Sequence, residues 1–217
     1  MGEVKRNPRG RRAKSLGEPE VSAREQLLEA TSEIMTERGT IEVSFAEIAK
    51  RSGLNSALIS YYFGSKAGLM MELLRRILGD ELNRLEEISR TGLSPEEKLQ
   101  GHVSGLIMTY FRFPFINRLI HQMVIDEPET FGPVIAEEMS KRAAEVQRRI
   151  LDEGVASGRF RKVDPLHFYF HVVGASDQFF HGRYQMRHIF GVDEIDEKLT
   201  RNYADYLADS LIRSLSR

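Results

Sequence analysis

Two phenols and an ammonium stand close together in the run LISYYFGSKAGLM, which begins at Leu58. A hydrophobic core has use for Ile59 and Phe63 but none for two adjacent phenols. The hydroxyls of Tyr61 and Tyr62 and the amine of Lys66 are donors suited to oxygen-rich partners such as phosphates. Other reactive pairings are weaker. His167 with His171, and Asp177 with His181, have the i,i+4 spacing that can clamp a metal. Helical histidines more often hydrogen-bond or face solvent, and no His-Glu-x-x-His run accompanies them, so no metal is expected. The triplet Gly64-Ser65-Lys66 fails as a phosphate loop, because Ser65 separates the glycine from the lysine and Ala67 stands where that motif needs a hydroxyl residue. The chain has no cysteine and no Gly-x-Ser-x-Gly elbow. Nucleophilic catalysis, and with it an enzyme, is not expected, nor is a cofactor.

The elements that would position these groups are helices. Ser22, Ser44 and Ser94 each precede a glutamate by three residues, the pattern of a capping box. Behind them Leu27, Leu28, Thr31, Ile34 and Met35, then Leu69, Leu73, Leu74, Ile77 and Leu78, recur at helical spacing. Asn55 is expected to cap a short helix running to Tyr61 or Tyr62. Further helices are expected from Ser94 to Pro114, from Phe115 to Ile125, from Pro133 to Gly158, from Pro165 to Met186 and from Asp193 to Ser214. Residues 41–45 alternate like a strand but read better as a tight connection. The fold class is all-α, with no repeat. Of the 217 residues 41% are hydrophobic and 29% charged, as in a soluble globular protein. No apolar run approaches the ~20 residues that span a bilayer. A cytoplasmic chain with no membrane partner is the expectation.

Residues 44–62 form a short helix, a Gly53-Leu54-Asn55 turn and a second short helix. That is a helix-turn-helix, whose second helix enters the major groove of double-stranded DNA. Phe45, Ile48, Ala49, Leu54, Ile59 and Phe63 can pack on Leu27, Ile34 and Met35, leaving Asn55, Ser56, Ala57 and Ser60 outward. Asn and Ser can pair with base edges, and Ala can touch a thymine methyl. Ser44, Tyr61, Tyr62 and Lys66 then fall where phosphates would lie.

Residues 22–75, above all SFAEIAKRSGLNSALISYYFGSKAGLMMELL, resemble the DNA-binding domain of the TetR family of transcriptional regulators. Ser44, Ile48, Ala49, Gly53, Phe63, Lys66 and Leu69 match the family pattern, while Ser60 stands where many members have tyrosine. The resemblance implies a repressor released from its palindromic operator by a small-molecule ligand. It also implies a ligand cavity between the middle helices and a homodimer formed by the last two helices. Two-fold symmetry would set the reading helices about 34–36 Å apart, or a multiple of that. The run VDPLHFYFHVVGASDQFFHGR is similar to the pyrimidine-utilisation regulators within the family.

The second half is rich in aromatic residues with polar groups among them, including His102, His121, His171 and His181. Phe111, Met123, Phe170, Gly174, Asp177 and Gln178 are the expected pocket lining, although a plain helical core would use most such aromatics as well. Phe168, Val172, Ala175 and Phe179, with Ile195, Leu199, Tyr203, Leu207 and Leu211, are the expected dimer stripe. The domains are then 1–20, a polar arm; 21–66, the helix-turn-helix unit; and 67–217, the ligand-binding and dimerisation domain. Lys5, Arg6, Arg9, Arg11, Arg12 and Lys14 give residues 3–14 a charge of +5 and leave the remainder at −6. Arg9, Arg11 and Arg12 can follow the minor groove beside the reading helix, and a free tail fits the same composition. Two other functions fit the chain: an architectural or positioning DNA-binding protein with no ligand switch, and a ligand-binding helical protein that has lost DNA binding.

Overall fold

The computed structural model describes residues 22–216; the expected arm, with Arg9, Arg11 and Arg12, lies outside them. The elements run α1 (Ala23–Arg38), α2 (Phe45–Ser52), α3 (Ala57–Phe63), α4 (Lys66–Ser89), α5 (Pro95–Arg112), α6 (Ile116–Asp126) and α7 (Pro128–Ile135). A π-helical turn, Ala136–Ser140, leads into α8 (Lys141–Ala156). Then come α9 (Pro165–His181), α10 (Arg183–Phe190) and α11 (Glu197–Leu215). Among the described residues the one β feature is an isolated bridge between Phe160 and Ser216. No helix among them is long and apolar enough to cross a membrane.

Local chemistry explains the boundaries. Ser44 and Ser94 complete both halves of a capping box with Glu47 and Glu97. At Ser22 the hydroxyl accepts from the Glu25 amide, while the Glu25 carboxylate turns to Arg76, 3.4 Å away. Pro128, not Pro133, starts the long segment. It sits at the first helical turn, where its missing N–H costs nothing, whereas Pro133 lies inside α7. The π-helical turn just after it resets the hydrogen-bond register before α8. The helix expected to reach Met186 stops at His181, and α10 restarts beyond Gly182. The last helix starts later than expected, at Glu197, because Asp196 caps it by accepting from the Leu199 amide at 2.7 Å.

Helices α1–α3 form one packed unit around Leu27, Ile34, Met35, Ile48 and Ile59, all 2% exposed or less. Phe45, Leu54 and Phe63 are half-buried against it. The long α4 starts in this unit and continues into the second. There α5 is the central helix, flanked by α4, α8, α9 and α11. Its Leu99, Val103 and Ile107 are fully buried. Among the described residues two ion pairs join α1 to α4, Arg24 with Glu72 and Glu25 with Arg76, and the Arg24 guanidinium also lies over the Phe63 ring at the end of α3. On another side Arg118 of α6 donates to the Gly39 carbonyl, the C-cap of α1, at 2.8 Å.

Candidate nucleic-acid interface and effector region

The α2–α3 turn is set by Gly53, which adopts the left-handed conformation at φ 70°. Asn55 does not cap α3 in the expected way. Ser56 holds the cap position with no side-chain bond, and the Asn55 Oδ1 accepts from the Ala57 amide at 2.8 Å. That turn consumes one acceptor and leaves the Asn55 amide hydrogens to face outward. Asn55, Ser56, Ala57, Ser60, Tyr61, Tyr62 and Lys66 are all exposed, Tyr61 by 78%. Ile59, on the opposite side of the same helix, is fully buried. So α3 shows one short polar face, and its C-terminal end carries the two phenols edge to face, with ring centroids 5.0 Å apart. Lys66, the first residue of α4, follows at once, with no ion pair among the described residues.

Gly68 fixes how α3 meets α4. A Cβ on it would lie 2.1 Å from the Phe63 carbonyl oxygen, so only glycine lets the two helices approach this closely. Ser65 caps α4 by accepting from the Gly68 amide at 3.0 Å. Sequence reading passed over Gly68; the Ser65 cap three residues earlier was the available signal.

Ser44 is exposed but already engaged. Its hydroxyl donates to a Glu47 oxygen at 2.8 Å and accepts from the Glu47 amide at 3.2 Å. Arg38 and these Ser44 bonds hold the Glu47 carboxyl at about 2, below the usual carboxylate range. The single hydroxyl proton of Ser44 is thus committed to the helix cap, so a phosphate contact there would have to displace Glu47.

The charge of the unit is not itself basic. Residues 22–66 hold five basic and six acidic side chains. Arg24, Arg38 and Arg51 are tied up with Glu72, Glu47 and the Glu33–Glu37 pair respectively. Lys50 and Lys66 are left without an ion pair among the described residues.

The six expected pocket residues do not converge. Met123 is buried and Phe111 half-buried in the core. Asp177 is half-buried and accepts from Asn117 Nδ2 at 2.6 Å, with His181 Nδ1 at 2.9 Å. Phe170, Gly174 and Gln178 lie on the outward stripe of α9, with Phe170 64% exposed. The inward stripe is Phe168, Val172, Ser176 and Phe180. His167, His171, Gln178 and His181 mark this exposed side of α9 at helical spacing, and Phe170, though apolar, falls among them. The expected dimer stripe is corrected by the same fact. Phe168, Val172, Leu207 and Leu211 are buried within the chain, and Phe179 stacks on Tyr203 at 3.9 Å.

A large cleft lies elsewhere. It opens between α1, α4 and α5 with a volume of about 740 Å³, bounded by Glu29, Asp80, Arg84, Gly105, Met108 and Arg112 among others. It therefore touches both the helix-turn-helix unit and the central helix. Within the second domain, His102 of α5 and Gln147 of α8 are 3% and 2% exposed, and their Nε2 atoms are 2.8 Å apart. Burial, and secondarily the Arg84 charge, pushes the His102 imidazole down to about 4. Among the described residues, His102 Nδ1, Gln147 Oε1 and the Ser176 hydroxyl are buried without a hydrogen-bond partner. Gln147 and Ser176 were not singled out from the sequence; they sit in runs that read as ordinary helix.

A three-helix unit with an outward α3, joined by a long helix to an all-helical second domain, is a helix-turn-helix architecture. The chain belongs to the TetR family: residues 27–73 match "Bacterial regulatory proteins, tetR family" and residues 92–216 match "Tetracyclin repressor-like, C-terminal domain". It is 32% identical over 146 residues to the transcriptional repressor KstR2 of Mycolicibacterium smegmatis, covering 64% of this chain and 68% of that one. It is 36% identical over 83 residues to the transcriptional regulator BetI 1 of Chromohalobacter salexigens, covering 38% of this chain and 41% of that one. The match to BetI 1 thus spans under half of either protein. The fold also matches FadR of Bacillus subtilis solved with stearoyl-CoA, with a TM-score of 0.69 and 19% identity over 88% of this chain and 98% of that one.

Proposed function

We propose that the chain is a homodimeric transcriptional repressor that binds a palindromic operator and leaves it when a small molecule occupies the helical domain. The observation that carries this is the exposed face of α3, where Asn55, Ser56, Ala57 and Ser60 are short and free to approach base edges. Tyr61, Tyr62 and Lys66 follow at its end, where donors meet phosphate oxygens. The repressor KstR2 and the stearoyl-CoA complex of FadR support the ligand-released reading. The exposed residues Leu166 and Phe170 of α9 and Tyr206 of α11 support a dimer through α9 and α11. On this reading Phe170, Gly174 and Gln178 belong to the dimer face, not the pocket.

Affinity needs more positive charge than α1–α3 supply, because release of phosphate counterions drives non-specific binding. The six basic residues between Lys5 and Lys14 supply it as an arm on the DNA, with Arg9, Arg11 and Arg12 in the minor groove. The ligand acts by preferring a conformer whose reading helices are mis-spaced, and DNA must weaken ligand binding by the same factor. Helix α4 starts beside the reading helix and ends in the second domain, so it carries that change.

Fluorescence anisotropy on duplexes from the protein's own upstream region, at two salt concentrations, tests the reading. Wild type should bind saturably, and Lys66→Ala should weaken binding to every sequence alike and flatten the salt slope by about one. Failure to bind any duplex in a genomic selection would sink the proposal.

A further inference from the structure

We propose that His102, Gln147 and Ser176 form the inner end of the effector site, and that it takes a neutral hydrogen-bonding group, a hydroxyl or a ketone, on an apolar skeleton. This rests on the reading of the helical domain as ligand-binding, and it adds the residues and the ligand chemistry. Three helices bring three unpartnered polar atoms inward. Gln147 donates from its amide to His102 Nε2 at 2.8 Å, which leaves the imidazole proton on Nδ1 and leaves Gln147 Oε1 as a bare acceptor. Turning the Gln147 amide over exchanges these roles and still leaves one donor and one acceptor. Ser176, 0% exposed, adds a hydroxyl. It lies on the buried stripe of α9, one helical turn before Phe180, whose ring meets Tyr110 of α5 at 6.2 Å.

A buried polar atom left unpaired forfeits its hydration with nothing in return. A core built only for packing would use apolar residues at these positions, as it does at Leu99, Val103, Val146, Ile150 and Val172 nearby on the same helices. A hydroxyl can accept from Nδ1 and donate to Gln147 Oε1, and a ketone can accept from Nδ1. A charged group is disfavoured. The imidazole is neutral, the Arg84 charge that it feels is already paired with Glu81, and no ion pair among the described residues reaches His102 or Gln147, so an ion there would be desolvated with no free counter-charge.

Access runs from the cleft. Arg84 lies across the bare backbone of α5, where a Cβ on Gly105 would be 1.0 Å from its Nη2. Two bonds to Glu81, at 2.6 and 3.1 Å, hold it there, with the Gly101 carbonyl 3.4 Å away. Gly101 and Gly105 flank His102 on α5, and His102 feels the Arg84 charge. A swing of this one side chain, which is 41% exposed, bares the α5 backbone beside His102.

Four ten-carbon probes that differ only in the end group test the site: decanol, decanone, decanoate and decylammonium. The readouts are the thermal midpoint of the full chain and the imidazole nitrogen resonances of His102. Decanol and decanone should raise the midpoint saturably and move the resonances, and the two charged probes should bind about tenfold more weakly or worse. The double variant His102→Leu/Gln147→Leu should keep or raise the unliganded midpoint yet lose the probe response. Ser176→Ala, which removes one hydroxyl, should weaken the response and serves if the double variant does not fold. The proposal is overturned if no neutral probe binds, if charged probes bind as tightly, or if the variants respond like wild type. Operator anisotropy in the same samples separates the two readings. Probes that bind without moving DNA affinity sink the ligand switch and leave this site standing. Release by a molecule to which the variants respond normally does the reverse.

Discussion

At the residue scale, burial divides the polar side chains into two groups with different thermodynamic signatures. Lys66 and Tyr61 are exposed, so their removal should register in DNA affinity and barely in stability. His102 is the opposite case. Its folded value is depressed to about 4 from an ordinary 6.5, chiefly by burial and then by Arg84. A depressed value means the unfolded chain binds the proton more readily than the folded one. The stability linked to a neutral His102 is therefore complete above pH 6.5 and is lost progressively as the pH falls toward 4. Urea titrations at steps across that window should show wild type losing stability more steeply than His102→Leu/Gln147→Leu. Parallel losses would mean that His102 is solvated in the folded protein. The sequence placed this histidine among the aromatics but could not show its burial, because a histidine on an apolar face reads the same whether it points in or out.

At the scale of elements, the junction between α3 and α4 decides whether the phenols and Lys66 are presented together. Alanine for glycine near the start of a helix normally stabilises, by up to about 1 kcal/mol. At Gly68 the new Cβ would lie 2.1 Å from the Phe63 carbonyl oxygen, and backbone cannot yield as a flexible side-chain end can. Gly68→Ala should therefore destabilise, by about 1–3 kcal/mol as other overpacking does, and should weaken operator binding beyond what that loss explains, because α3 shifts against α4. A variant more stable than wild type would show the contact to be loose. The helix-turn-helix was legible in the sequence because Ser44, Gly53 and the alternation of Ile48, Ile59 and Phe63 with polar residues encode cap, turn and core within one short stretch. The second domain was less so. Pro133 looked like a helix start because proline favours that position, yet Pro128 stands five residues earlier and takes it. The outward stripe of α9 escaped because Phe170 and Phe168 are chemically alike, and only the packing against α5 and α8 tells them apart.

At the scale of the whole molecule, one helix-turn-helix unit with two unpaired lysines is a poor DNA reader by itself. Two such units on one frame address two half-sites, and the second binding event is then effectively intramolecular. The frame proposed here is the outward stripe of α9 with α11, where Phe170 and Tyr206 are 64% and 68% exposed. Large apolar side chains left on one face of adjacent helices mark an association surface. Because Phe170 touches solvent more than core, Phe170→Glu should leave the fold of each chain intact. Placed on a two-fold interface it sets like charges against each other across the axis. Sedimentation should then show the mass halved, and operator binding should fall while the helix content by circular dichroism stays at the wild-type value. A dimer of unchanged stability would move the interface off this stripe. In that event Phe170 would be assigned to the shallow groove it forms with Leu166, Tyr169 and Ala144.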